Sequence, residues 1–233
     1  MPANPPLSDS AQATPTKRER RKEARPGELL AAALDLFLEK GYAATRVEEV
    51  AQRAGVSKGT LFLYFSSKEE LFKAVVRENI SGRFTEWGEE LTTYQGSSEE
   101  LIRYCMTSWW ERIGSTKASG IPKLMMSEAG NFPELTAFFQ QEVVQPGNDL
   151  IRRILQRGVE RGEFRAVDPT YGVYCLLAPM IYLNLWKHGQ GSCGDARVEL
   201  DPQQYIAVQV QTVLHGLCTP APSNPDTPKK KTT

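Results

Sequence analysis

The chain has 233 residues, 40% of them hydrophobic and 24% charged, enough apolar material for a small domain joined to a larger core. Twenty-eight basic side chains balance twenty-eight acidic ones, so no global field draws the molecule to nucleic acid and any such attraction has to be local. The opening is polar and proline-rich rather than a signal sequence. Cys105, Cys175, Cys193 and Cys218 form no C-x-x-C pair, and neither His188 nor His215 stands at metal-ligand spacing from them; the expectation is a cytoplasmic protein with reduced thiols, no metal and no cofactor.

In chain order, the first 16 residues and the last 15 are rich in Pro, Ser, Thr and Asn and are expected to be disordered. Residues 17 to 25, KRERRKEAR, carry six positive and two negative side chains. This run reads equally as a solvated tail or as a basic arm that lies along phosphates or enters a minor groove. We therefore divide the chain into a disordered basic arm (1–24), a small head (25–72), a larger helical domain (73–218) and a disordered tail (219–233). The first helix is expected from Pro26 to Lys40, ending at Gly41-Tyr42.

Thr45-Arg46-Val47-Glu48 has the form of a capping box, with Thr45 as the cap and a helix starting at about Arg46. Val47, Val50, Ala51 and Ala54 then form one apolar stripe. Gly55 follows, where a helix ends easily in the left-handed conformation, and Val56 turns inward. Ser57 can cap a second short helix whose inner face is Leu61 and Phe65, leaving Lys58, Gly59, Thr60, Phe62, Leu63 and Tyr64 elsewhere. Ser67 and Glu70 read as another capping box, opening a third helix. Two short helices joined by a glycine turn, with polar groups on the second, read as a helix-turn-helix.

Beyond Val75 the sequence lacks alternating β-branched runs, and the expected class is all-α. Ser98 to Ile113 places Ile102, Cys105, Met106, Trp109 and Ile113 on one stripe. Pro133 opens a helix carrying Leu135, Phe138, Phe139 and Val143, and Gly147 to Val159 reads as a further helix stopped at Gly162. Asp168-Pro169 and Asp201-Pro202 each combine an N-cap with a first-turn proline, marking the starts of the last two helices. The apolar stretch from Tyr171 to Trp186 is shorter than the roughly 20 residues that span a bilayer and contains Pro179 and Asn184, so a buried helix is expected and no membrane contact. A literal G-x-G-x-x-G at Gly189 to Gly194 follows a helical segment and leads into a loop, whereas a dinucleotide fingerprint needs a strand before it and a helix after. No nucleophile triad or carboxylate pair of persuasive spacing appears, so no enzyme is expected.

Residues Thr45, Val47, Val50, Ala51, Ala54, Gly55, Val56, Ser57, Gly59, Thr60, Leu61, Tyr64, Phe65, Lys68 and Leu71 match the DNA-binding signature of the TetR family of bacterial transcriptional regulators, which this chain therefore resembles. Phe62 departs from it, standing where the family commonly has tyrosine. By that resemblance Thr45, Ser57, Tyr64 and Lys68 are expected on phosphates, which sets register without reading sequence. Lys58 is expected on guanine O6 and N7, Thr60 on a base edge or the backbone, and Gly59 to permit close approach; Phe62 would touch a sugar or a thymine methyl, the apolar Leu63 either meets a thymine methyl or packs on the following helix, and Arg46 would touch a base or phosphate. The resemblance also implies a homodimer through the last two helices. Such a dimer sets two recognition helices about 34 Å apart on a palindromic operator in double-stranded DNA.

Regulators of this kind generally hold an effector in the larger domain, and Met106, Trp109, Trp110, Met125, Met126, Phe132, Phe138, Tyr174 and Met180 are its expected wall; the same residues would equally build a core. With no charged residues evidently committed there, a hydrophobic or aromatic effector fits better than a sugar or nucleotide. The expected function is a sequence-specific repressor released by that effector. The competing reading is a helical interaction module without a ligand, which would bind DNA indifferently to sequence.

Overall fold

A computed structural model of the chain describes residues 17–189 and 199–218, with side chains from Pro26 onward. Among these residues the backbone is helix and turn, apart from one isolated antiparallel bridge between Phe164 and Cys218. The glycine-rich motif after Gly189, Cys193 and both chain ends lie outside the described residues.

The head consists of α1 (Lys17–Ala44), α2 (Val47–Arg53), α3 (Lys58–Phe62) and the start of α4 (Lys68–Val76). Helix α1 runs through Pro26 rather than starting there. Lys, Arg, Glu and Ala between 17 and 25 are good helix formers, so the run expected to be disordered has a helical backbone from Lys17. At the other end Gly41, at φ 83° and ψ 165°, breaks the helix and swings Tyr42 inward. Tyr42 then packs with Phe37 and Phe72, and this aromatic group sits beside the fully buried Leu29, Leu61 and Leu71. Phe37→Ala or Phe72→Ala would cost about 3–5 kcal/mol at such sites.

Wide π turns at Arg77–Ser81, Trp110–Gly114 and Gln140–Val144 let the body's helices bend without stopping. The first carries the chain from α4 into α5 (Arg83–Thr93), and the second closes α6 (Ser98–Trp109). Next come α7 (Gly120–Glu128) and α8 (Pro133–Phe139). The third turn joins α8 directly to α9 (Gln145–Glu160), so the separate helix expected from Gly147 is the continuation of the one opened by Pro133. Pro146 is the second residue of α9, directly after the π turn.

The last two helices, α10 (Pro169–Gly189) and α11 (Pro202–Leu217), begin where the Asp-Pro pairs predict. The Asp168 carboxylate accepts from the amide of Thr170 at 2.8 Å, and that of Asp201 from the amide of Gln204 at 2.7 Å. Helix α9 packs against α6 and α10, α11 against α6 and α10, and α1 against α4 and α7. The head thus rests on the body through α4, which continues into it, and through α7 and α8, which pack against α1 and α4.

Candidate nucleic-acid interface and internal cavity

Helix α3 is short, and what it buries and exposes differ sharply. Leu61 is fully buried and Phe65 half-buried, anchoring it to the head. On the other side Phe62 is 41% exposed, Leu63 84% and Tyr64 36%, alongside exposed Ser57, Lys58 and Gly59. Gly55, at φ 67°, makes the turn from α2, with the Val56 amide bonding back to the carbonyl of Ala51 at 2.9 Å. The Ser57 hydroxyl accepts from the Thr60 amide at 3.1 Å, so the cap is made. Gly59 points at open space, where the nearest atom to an added methyl would be the Ser57 Oγ at 3.8 Å. The fold therefore does not itself require glycine at this position.

Leu63 answers an alternative left open by the sequence, because packing on the following helix would have covered it. Lys58 sits 2.6 Å from Glu48 of α2 and 5.7 Å from the Phe62 ring centre, with both charged groups more than half exposed. Its ammonium holds the Glu48 carboxyl below the usual carboxylate range. Arg46 is exposed at the start of α2.

Two expected phosphate contacts have other work in the free protein. Thr45 is buried, and its hydroxyl lies 3.1 Å from the carbonyl oxygen of Leu36 and 2.7 Å from that of Gly41. It ties down the end of α1 and is not the cap of α2. Arg46 occupies that position, its amide donating to Glu49 rather than Glu48 at 3.3 Å. The Thr45 hydroxyl is thus turned inward in the free protein.

Lys68 donates to the carbonyl oxygens of Tyr42, Ala43 and Thr45 at 2.9, 3.1 and 3.2 Å, and lies 4.4 Å from the Tyr42 ring centre. Burial lowers its pKa. A phosphate contact by Lys68 requires giving up one of these bonds. Ser67 caps α4 by accepting from the Glu70 amide, but the Glu70 carboxylate takes Lys73 instead of returning to complete a capping box.

Inside the body, helices α5 to α10 line a partly open cavity of about 360 Å³, within the size range of small-molecule sites. Met106 and Trp109 of α6, Met125 and Met126 of α7 and Met180 of α10 line it, with Phe84, Trp87, Phe139, Val143 and Leu177 completing an apolar wall. Lys123 is the charged residue on that wall, and its ammonium donates to the His188 carbonyl at 2.8 Å. Cys105 also lines the cavity, and burial pushes its thiol up to about 12, so it stays protonated at neutral pH. Among the described residues no group of three His, Cys, Asp or Glu side chains is placed to hold a metal, and no helix is long and apolar enough to cross a membrane.

Comparison with known proteins places both halves. Residues 29–75 match the model for bacterial regulatory proteins of the tetR family, and residues 95–198 match the tetracyclin repressor-like C-terminal domain. The chain belongs to the TetR family. The transcriptional repressor KstR2 of Mycolicibacterium smegmatis is 29% identical over 198 residues, covering 83% of this chain and 91% of that protein. The regulator RutR of Escherichia coli is 44% identical over 72 residues, which is 31% of this chain and 34% of its own. Among solved structures, FadR from Bacillus subtilis in complex with stearoyl-CoA superposes with a TM-score of 0.68 at 17% identity, covering 82% of this chain and 98% of that one. This TetR-family member is a DNA-binding transcriptional regulator and not an enzyme.

In this regulator four of the nine residues expected at the effector wall lie elsewhere. Phe132 meets Tyr42 edge-on at 4.7 Å, joining body to head. Phe138 lies under Lys73 and Arg77 of the α4 region, 5.7 and 5.1 Å from its ring centre. Trp110 opens the second π turn and is buried, with the Lys187 ammonium 5.6 Å from its ring, and Tyr174 is 55% exposed on α10. Composition marks residues as apolar; which side of a helix faces the hollow depends on tertiary packing. Trp87, Phe84 and Asn184 were missed for the same reason, and the polarity of Asn184 within an apolar helix was the available signal.

Proposed function

We propose that this regulator is a cytoplasmic homodimeric repressor that reads a palindromic operator through α3 and is released by a hydrophobic or aromatic effector in the 360 Å³ cavity. The observation that carries the DNA-reading part is the division of this segment into one fully buried anchor, Leu61, and the exposed Ser57, Lys58, Gly59, Phe62, Leu63 and Tyr64, which the fold leaves uncovered. A second copy is supported by α10 and α11, where Tyr171, Tyr174, Ile181, Tyr182 and Val208 are all exposed. Large apolar side chains repeated along two adjacent helices are unfavourable in water and favour a helical partner of the same kind. Repression is supported by the resemblance to KstR2, and an apolar effector by the cavity wall and by the FadR neighbour's complex with stearoyl-CoA.

The cavity reaches the head by two routes. Met125 and Met126 line it from α7, and Glu128 on the same helix is buried with its carboxylate accepting from the Ala43 amide at 3.3 Å. Phe139 and Val143 line it beside Phe138 and Glu142, and Glu142 is held by Arg77 at 2.6 Å. An effector that moves either wall tilts the head, so that both copies of α3 no longer meet their half-sites together. The test is fluorescence anisotropy of a bound operator during titration with hydrophobic and aromatic compounds. Compounds that quench the four tryptophans should lower DNA affinity by tenfold or more; quenching without any change in DNA affinity would refute the release mechanism.

A further inference from the structure

The head that is to meet DNA is itself acidic. From Pro26 to Phe72 it has five basic side chains against seven acidic ones, and most of those cations are already engaged. Lys40 pairs with Glu49 at 2.7 Å, Arg53 with Glu39 at 2.7 Å and Lys58 with Glu48 at 2.6 Å, while Lys68 is held by three carbonyl oxygens; this leaves Arg46. A lysine or arginine that exchanges its carboxylate for a phosphate strands that carboxylate beside the DNA, so the exchange yields little net attraction. Unspent positive charge lies just upstream, where residues 17 to 25 carry six positive and two negative side chains.

Those nine residues are the first turns of α1, whose backbone stays helical through Pro26 and breaks only at Gly41. At helical spacing Arg18, Arg21, Lys22 and Arg25 share one face, and Glu19 and Glu23 fall on another. Arg18 with Lys22 and Arg21 with Arg25 are like-charge pairs four apart, which disfavour a helix in water and are relieved by a polyanion. The body grips α1 near its other end: Lys117 pairs with Asp35, Gly120 lies against Leu38, and Glu128 accepts from the Ala43 amide. The basic turns therefore leave the head away from the body. Nine helical residues reach about 13 Å, the length of about four base pairs along a duplex.

We propose that residues 17 to 25 are a second DNA-binding element: the basic stripe of α1 lies along the phosphates flanking each half-site and supplies most of the protein's electrostatic attraction for duplex DNA. This rests on α3 meeting the DNA as proposed above. The two tasks are then divided within the head, with α3 selecting the sequence and the first turns of α1 holding the backbone whatever the sequence.

The test is the full chain with Lys17→Gln, Arg18→Gln, Arg20→Gln, Arg21→Gln, Lys22→Gln and Arg25→Gln made together, since glutamine removes the charge and keeps the helix propensity. Anisotropy titrations of a selected operator and of a random duplex, between about 50 and 200 mM salt, compare it with the unaltered protein. The variant should bind both duplexes at least tenfold more weakly, with the operator-to-random ratio changed less than threefold. The slope of log affinity against log salt should flatten by about 2 to 4, because each phosphate contact given up counts about 0.9. Footprinting should show the protected region shortened at both outer edges. Equal affinity and equal salt slope in the two proteins overturn the proposal, and a loss confined to the operator overturns the assignment to phosphates. If the unaltered protein shows no operator preference, the reading by α3 fails, while a shared loss in the variant still upholds the stripe. Should the sixfold variant melt at a lower temperature, Arg18→Gln with Lys22→Gln decides the matter through the same slope, flattened by about half as much.

Discussion

Gly59→Ala should make the protein more stable and a poorer DNA binder. Gly59 is the second residue of α3, exposed, and a methyl there would meet nothing closer than 3.8 Å. Alanine is favoured over glycine within a helix by up to about 1 kcal/mol. For a protein of this size that raises the melting temperature by roughly 2–4 °C. On DNA the same methyl stands on the face that is to enter the major groove, holding α3 away from base edges and phosphates. Loss of even one good contact is about 1.4 kcal/mol, a tenfold weaker complex. Circular-dichroism melting and anisotropy titration of a selected operator measure the two effects separately. Unchanged or tighter DNA binding would refute the placement of this face, and a lower melting temperature would show that the position is packed rather than open.

Leu63→Ser should leave melting within about 1–2 °C, since an 84% exposed side chain supports nothing, while lowering operator affinity and erasing a thymine preference at one position; a uniform loss over all sequences would argue against a methyl contact. Glu48→Gln removes the carboxylate that holds Lys58, so affinity for every sequence should rise several-fold with a steeper salt dependence; Lys58→Ala should weaken binding and relax one base position, and equal losses on operator and random DNA would count against its base reading. His188 supplies a pH test. Burial, with Lys187 and Lys123 nearby, lowers its pKa below 6.5 in the folded state, so its contribution is fully present above pH 6.5 and is lost as pH falls below that value. The melting temperature should drop between pH 6.5 and 5.5 more in the unaltered protein than in His188→Gln; identical slopes in the two would refute this assignment.

What was legible in the sequence was local. Asp168-Pro169, Asp201-Pro202, Ser57 and Gly55 act on the next few residues, and each stands where the spacing predicts. Thr45 shows where that logic ends: as a hydroxyl three residues before a glutamate it reads as a cap, but carbonyls of α1 nine and four residues earlier claim it. The break expected at Gly147 failed because a π turn, which leaves no composition signal, carries α8 into α9. Within the cavity, Met106, Trp109, Met125, Met126 and Met180 were recognisable as soft apolar side chains. Phe132 and Phe138 have the same chemistry yet serve the joint between head and body, since that choice is made by contacts between helices distant in sequence.

The central claim, that two copies of α3 read DNA as a symmetric pair, is tested most directly by selecting bound sequences from a random duplex pool at low salt with the full chain. The account predicts a palindromic motif whose half-sites lie on one side of the duplex about one helical turn apart. Recovery of no motif, or of a single unpaired half-site, would contradict it.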